Sequence, residues 1–258
     1  MSSNLNLVAF QTIAKKETNR IFRIWSQTLL PPVISQSLYF IIFGGLIGSQ
    51  ISGYENQGGY MAFLIPGIVM MSVITNAYTN VVSSFFGSKF QKNYEELLVS
   101  PTPTWVILAG YVWGGIFRAL LVGLIVLLVS LFFVHPQIYN PFYIIIFSIL
   151  TASAFSLGGF FNSLFAKSFD DVQIIPTFVL TPLTYLGGVF YSVNKLPPVW
   201  QFVSKFNPIV YMIDGFRYGF FGINDVPLWS SLGILIFFNA ALVAINLYLL
   251  NKGYGLKS

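Results

Sequence analysis

Apolar residues run in long blocks along this chain, and short polar breaks separate them. Six blocks reach the roughly 20 mostly apolar residues that a helix needs to cross a bilayer. They cover residues 28–50, 60–84, 104–134, 141–166, 172–193 and 228–250. The breaks at 53–59, 89–103, 135–140 and 167–171 gather charges and turn-forming residues. A longer break, 194–227, is aromatic and apolar yet holds Lys195, Lys205, Asp214, Arg217 and Asp225. Pro197, Pro198 and Pro208 divide it into pieces that do not comfortably span a bilayer. The pattern there predicts two short re-entrant helices dipping into the outer leaflet; the plainer reading is an amphipathic outer loop.

The first 27 residues follow a different rhythm. Leu7, Phe10, Ile13 or Ala14, Ile21 and Trp25 recur at helical spacing, with Lys15, Lys16, Arg20 and Arg23 between them. This predicts an amphipathic helix on the membrane surface over residues 1–27, against the alternative of a basic, loosely ordered tail. The short apolar core and small-residue cleavage site of a signal peptide are absent. The expected fold is all-α and polytopic, one membrane domain over 1–258 with a cytoplasmic tail at 251–258.

Composition narrows the class further. Of the 258 residues, 55% are hydrophobic and only 8% charged, where a soluble domain is about a quarter charged. So little charge cannot cover a water-facing surface, which excludes a soluble enzyme. The aromatic share of 18% excludes disorder. Cysteine is absent and His135 is the sole histidine, so neither disulfides nor a thiolate or histidine metal centre is expected.

The net charge is +5, and the basic residues read as topology signals rather than a nucleic-acid footprint. With the N-terminus inside, the inner segments hold Lys15, Lys16, Arg20, Arg23, Lys89, Lys92, Lys167, Lys252 and Lys257. The outer segments hold only Lys195, Lys205 and Arg217. Both termini are therefore expected in the cytoplasm, as an even number of spans requires.

No catalytic set emerges. The phosphate-binding G-x-x-x-x-G-K-[ST], H-E-x-x-H and G-x-S-x-G patterns are all missing. Glu95–Glu96 and Asp170–Asp171 are neighbours in sequence, and neighbours point in different directions on a helix. Other residues carry more information. Tyr94, Glu95, Glu96, Leu97 and Leu98 suit a short cytoplasmic helix stopped by Pro101 and Pro103, either a docking element or a solvated connector.

Arg118 is a charge inside a span, costly there, and is read three ways: snorkelling to headgroups, a structural ion pair, or substrate contact. Asp214 and Arg217 stand at i,i+3 and can pair. Pro176 and Pro182 kink the fifth block, which then faces a path or simply packs in the bundle. Asn76, Tyr78, Thr79 and Asn80 place polar groups in the second block, as path lining or as helix–helix hydrogen bonds. Gly110/Gly114 and Gly215/Gly219 have small-xxx-small spacing, a weak packing signal alone.

Together these elements resemble the ABC-2 type transporter permeases. The amphipathic N-terminal helix, the six spans, the Glu95-Glu96-Leu97-Leu98 helix and the broken pair before the last span all fit. Asn207 and Pro208, followed by Arg217, look like that family's Asn-Pro…Arg signature. The resemblance implies an export permease in a bacterial inner membrane, surrounded by lipid and working as a pair, most simply a homodimer. It implies two copies of a separate ATPase subunit, which bind ATP and Mg; this chain would need no cofactor of its own. It assigns Tyr94, Glu95, Glu96, Leu97 and Leu98 to the coupling helix that meets the ATPase. Two rival classes remain: a passive channel or facilitator, and a lipid-modifying membrane enzyme.

Overall fold

The computed structural model describes residues 3–54, 58–93 and 100–255. Among them every regular element is helical: α1 Ser3–Arg23, α2 Trp25–Thr28, α3 Leu30–Tyr39, α4 Tyr60–Phe90, α5 Thr104–Ser130, α6 Pro141–Phe165, α7 Phe169–Ile175, α8 Thr181–Tyr185, α9 Pro198–Ser204, α10 Pro208–Phe221 and α11 Leu228–Asn251. Among the described residues, five stretches are long and apolar enough to cross a bilayer: Trp25–Ile47, Tyr60–Phe90, Thr104–Ser130, Pro141–Phe165 and Leu228–Asn251.

α4 is the hub. Within its apolar window 89% is buried, against 11% for α11 and for Trp25–Ile47, so α4 is packed on by protein and the other two mostly face outward. Phe63, Leu64, Ile65, Ile68 and Met70 of α4 form the centre of the core, with Val122 and Val126 of α5 and Phe147 and Ala152 of α6. The N-terminal half of α4, apolar on every side, belongs in such an interior position.

The helix ends explain themselves locally. α6 and α10 both start with Asn-Pro: the side chains of Asn140 and Asn207 each accept an N–H two residues on, at 3.0 Å. Pro141 and Pro208 follow at the first helical position, where no N–H is needed. α10 stops at Gly222, whose φ of +68° suits glycine. α7 opens with a capping box between Ser168 and Asp171.

Two groups of helix ends define the poles of the bundle. At one, Thr104 donates to Asn251 at 2.7 Å, joining the start of α5 to the end of α11. Lys89 at the end of α4 donates to the carbonyls of Leu164 and Ala166 at 3.0 and 3.1 Å. We call this the basic pole. At the far pole, Phe40 stacks on Phe133 and the N–H groups of Tyr139 and Asn140 reach the Gly219 carbonyl at 3.0 and 2.9 Å.

α11 is registered on α6 by two matching contacts. Asn239 donates to the Leu150 carbonyl at 3.0 Å, and Asn246, seven residues on, donates to Leu157 at 3.1 Å.

The block at 172–193 is kinked as its prolines predict, but its helical part is shifted toward the N-terminus: α7, a π-helical stretch Pro176–Leu180 and α8, of seven, five and five residues, run end to end over 169–185, and the chain then turns at Gly188 with φ +81°. Pro176 offers no N–H to the helical ladder, and the backbone answers with a wider turn.

The N-terminal helix forms over Ser3–Arg23, but it does not lie free on a surface. Ile13, Ala14, Glu17 and Ile21 are buried against the bundle, while Leu7, Phe22 and Trp25 are exposed. Glu17 replaces an apolar residue in the buried stripe, which disguises the docking face. The first span is likewise less regular than its pattern: α2 and α3 are followed by π-helix over Phe40–Ile47.

Candidate functional site

The seat of α1 is the first polar constellation. Gly110 and Gly114 on α5 remove side chains where α1 crosses; a Cβ on Gly114 would lie 2.7 Å from the Glu17 Cβ, and one on Gly110 2.5 Å from Ile13. The small-xxx-small spacing is thus used within the chain. Glu17 is fully buried, receives the Ser84 hydroxyl of α4 at 2.8 Å and pairs with Arg20 at 3.0 Å. Arg20 also donates to the Asn80 side chain at 2.8 Å.

Arg118 points to the same region, donating to the Thr28 carbonyl at 3.4 Å. No carboxylate lies within 4.0 Å of it among the described residues, so it is a link to the end of α2 rather than an ion pair.

The second constellation closes the far pole. Asp225 gathers three donors: the Ser192 hydroxyl at 2.6 Å, the Val193 N–H at 2.8 Å and the Asn194 amide at 2.8 Å. Asp214 accepts the N–H groups of Asp225 and Val226 at 2.9 and 3.0 Å. Burial pushes the Asp214 carboxyl up to about 6, against the pull of those two N–H groups and of the Arg217 charge.

Arg217 does not pair directly with Asp214. It donates to the Gly188 carbonyl at 2.7 Å and lies 4.0 Å from the centre of the Phe63 ring. The Asn207 amide donates to the Leu183 carbonyl at 2.7 Å. Asn207 and Arg217 therefore clamp α10 onto α8 and the turn that follows it.

The third feature is an open polar stripe on the buried hub. Asn76 and Tyr78 face into the protein, and Asn80 is occupied by Arg20. Thr79 is half-buried, and Thr75 and Ser83 are exposed one turn to either side. Their hydroxyls donate to the carbonyls four residues back at 2.9, 2.7 and 2.6 Å, so each carries a satisfied donor. Thr75 and Ser83 were missed in the sequence; their i, i+4, i+8 hydroxyl spacing with Thr79 is the signal that finds them.

Pro176 is half-buried and Pro182 exposed on the broken segment, with Phe178 73% exposed between them. Tyr185 meets Tyr39 hydroxyl to hydroxyl at 2.8 Å. The expected coupling residues Tyr94, Glu95, Glu96, Leu97 and Leu98 lie outside the described residues.

Comparison with known proteins agrees with this architecture. The family model of the ABC-2 type transporter matches residues 8–221. The chain is 58% identical to the inner membrane transport permease YadH of Escherichia coli strain K12, over 99% of both chains. It is 27% identical to nodulation protein J of Rhizobium leguminosarum bv. trifolii, over 81% of this chain and 79% of that one. With nodulation protein J of Rhizobium meliloti strain 1021 the identity is 24%, over 77% of each.

Proposed function

This chain belongs to the ABC-2 type transporter family, and from that premise we propose that it is the membrane subunit of an ATP-driven exporter in a bacterial inner membrane. The observation that carries the reading is the open stripe of Thr75, Thr79 and Ser83 on a helix otherwise enclosed by its own chain. A hub helix that leaves a row of hydroxyls uncovered along its middle offers half of a path, and a second copy of the chain completes it as a homodimer. Thr79, Pro176 and Pro182 line that path; Asn76, Tyr78 and Asn80 shape it from behind.

Six crossings fit the bundle better than five. Phe169 packs on Phe86 and Phe90 near the basic pole, whereas Tyr185 meets Tyr39 and Val189 lies against Gly67 toward the other. The broken segment thus travels between the poles. Lys89, Lys92, Lys167 and Lys252 gather at the basic pole, which supports placing it, and both termini, in the cytoplasm. The exposed Leu7 and Phe22 of α1, beside exposed Lys15 and Lys16, suit the membrane–water boundary.

Two copies of a separate ATPase, holding ATP and Mg, would engage Tyr94, Glu95, Glu96, Leu97 and Leu98 between α4 and α5. ATP binding must favour one membrane conformation over another for coupling to exist. The far-pole clamp of Asn207, Asp214 and Arg217 makes the outer closure a single rigid piece for that change to move.

ATPase activity of this chain co-purified with its candidate ATPase subunit in nanodiscs tests the proposal. A complex that hydrolyses ATP, and that Glu95→Ala/Glu96→Ala uncouples or dissociates, is the expected result. Failure to assemble with any candidate ATPase, with ion flux through the chain alone in liposomes, would overturn it.

A further inference from the structure

A pocket of about 830 Å³ opens at the basic pole, between the ends of α4, α6 and α11. Its rim carries four lysines, Lys89, Lys92, Lys167 and Lys252. Among the described residues, none of the four ammonium groups has a carboxylate within 4.0 Å. Lys89 is held by two carbonyls of the α6 end, and Lys252 rests over the Tyr248 ring at 4.6 Å. Asp171, close in sequence to Lys167, is occupied by the N–H groups of Lys167 and Ser168.

The walls are also apolar: Phe86, Phe90, Leu164 and Phe165 line it beside the lysines. Phe90, Phe165 and Tyr254 are exposed at its mouth, where amphipathic and aromatic side chains favour the headgroup level.

Lys92 adds an independent sign. It is the only described non-glycine residue with a positive φ, +59°. That conformation is strained for an L-residue and is the usual place for glycine after a helix. At the equivalent place after α11 the chain does use glycine, Gly253, with φ +67°. A lysine is thus kept at a position where glycine is easier, and it faces the pocket.

We propose that this pocket binds the phosphate headgroup of an anionic phospholipid from the surrounding leaflet. Four cations with no carboxylate partner among the described residues, set in apolar walls, match a phosphodiester with its glycerol and upper acyl chains. A free phosphate would leave the Phe86, Phe90, Leu164 and Phe165 surfaces uncovered. The inference concerns the permease alone and stands apart from the export reading, since it needs neither ATPase nor cargo.

The full-length chain in a mild detergent is titrated with short-chain phosphatidylglycerol, with phosphatidylcholine of equal chain length, and with inorganic phosphate. Bound ligand is counted by native mass spectrometry. Phosphatidylglycerol should bind and the other two should not. Lys92→Gln/Lys252→Gln should weaken it about 30-fold, roughly 5-fold per lysine, and Lys92→Arg/Lys252→Arg should retain it.

Lys92→Gly keeps the proposal testable if the double variant folds poorly. It should raise the melting temperature without lipid, by relieving the backbone, yet weaken phosphatidylglycerol binding about 5-fold. Equal binding of the two lipids, displacement by inorganic phosphate, or unchanged binding in the neutral variants would each overturn the assignment.

Discussion

Glu17 and Arg20 pair at 3.0 Å on α1, with the carboxylate wholly buried and the guanidinium 21% exposed. The pair sits where Ser84 and Asn80 of α4 complete its hydrogen bonds. The N-terminal helix is thereby fastened to the hub by charge as well as by packing.

Arg20→Ala leaves that buried carboxylate without its cation, which should cost about 3–5 kcal/mol. Glu17→Gln should cost less, because the amide still accepts from Ser84. Thermal unfolding in detergent ranks the two. Trypsin supplies a local readout: exposed Lys15 and Lys16 should be cut faster in Arg20→Ala than in wild type.

Gly114→Val should reproduce the Arg20→Ala pattern without touching a charge, since even a Cβ meets Glu17 at 2.7 Å. Gly233→Ala on α11 is the control. An added Cβ there meets nothing within 4 Å, and helix propensity should stabilise it by up to about 1 kcal/mol. Equal melting temperatures for both variants would contradict the seat described for α1.

Acid should favour the far pole. The Asp214 carboxyl rises from 3.8 to about 6 on burial, so the folded chain holds a proton that the unfolded chain has lost between those values. Its contribution is full below about pH 4 and disappears as pH rises through about 6, a change of at most about 3 kcal/mol. The stability difference between wild type and Asp214→Asn should fall across that window and stay flat above it. A difference independent of pH from 4 to 7 would refute the burial argument.

The chain contains no cysteine, so single cysteines report cleanly on access to water. Thr75→Cys, Thr79→Cys and Ser83→Cys should react with a membrane-impermeant maleimide in nanodiscs, because the thiolate reacts and forms only in contact with water. Asn76→Cys and Tyr78→Cys should stay silent. Uniform labelling, or none at the stripe, would remove the path from this face of α4.

Periodicity and length made four spans legible, with all four starts matched and the ends matched within a residue for two of them. The blocks 60–84, 104–134, 141–166 and 228–250 correspond to Tyr60–Phe90, Thr104–Ser130, Pro141–Phe165 and Leu228–Asn251. The two short helices before the last span were also legible, because Pro198 and Pro208 begin them.

Hydropathy is blind to hydrogen-bond register, so it could not reveal the π-helical stretches at Phe40–Ile47 and Pro176–Leu180. It also sorted Glu17 with the polar face, since burial of a carboxylate depends on Arg20 and on Ser84, sixty-seven residues away. Asp214 and Arg217 shared a face as their spacing requires, but each found a backbone partner rather than the other. Which partner wins is decided by the 188–194 and 225–226 turns, which no local pattern announces.

Asn239 and Asn246 act together as a two-tooth ratchet between α11 and α6. Their donors and acceptors share a seven-residue repeat, about 10 Å along the axis. Sliding α11 by a single turn, about 5.4 Å, disengages both teeth at once and leaves each amide only its own-helix carbonyl, Leu235 for Asn239 and Leu242 for Asn246. Small axial slip along this seam is therefore penalised twice over, and α6 and α11 travel as one board. Shear within a protomer must fall on seams without such teeth, and the irregular segments around Phe40–Ile47 and Pro176–Leu180 are where the backbone already departs from a rigid rod.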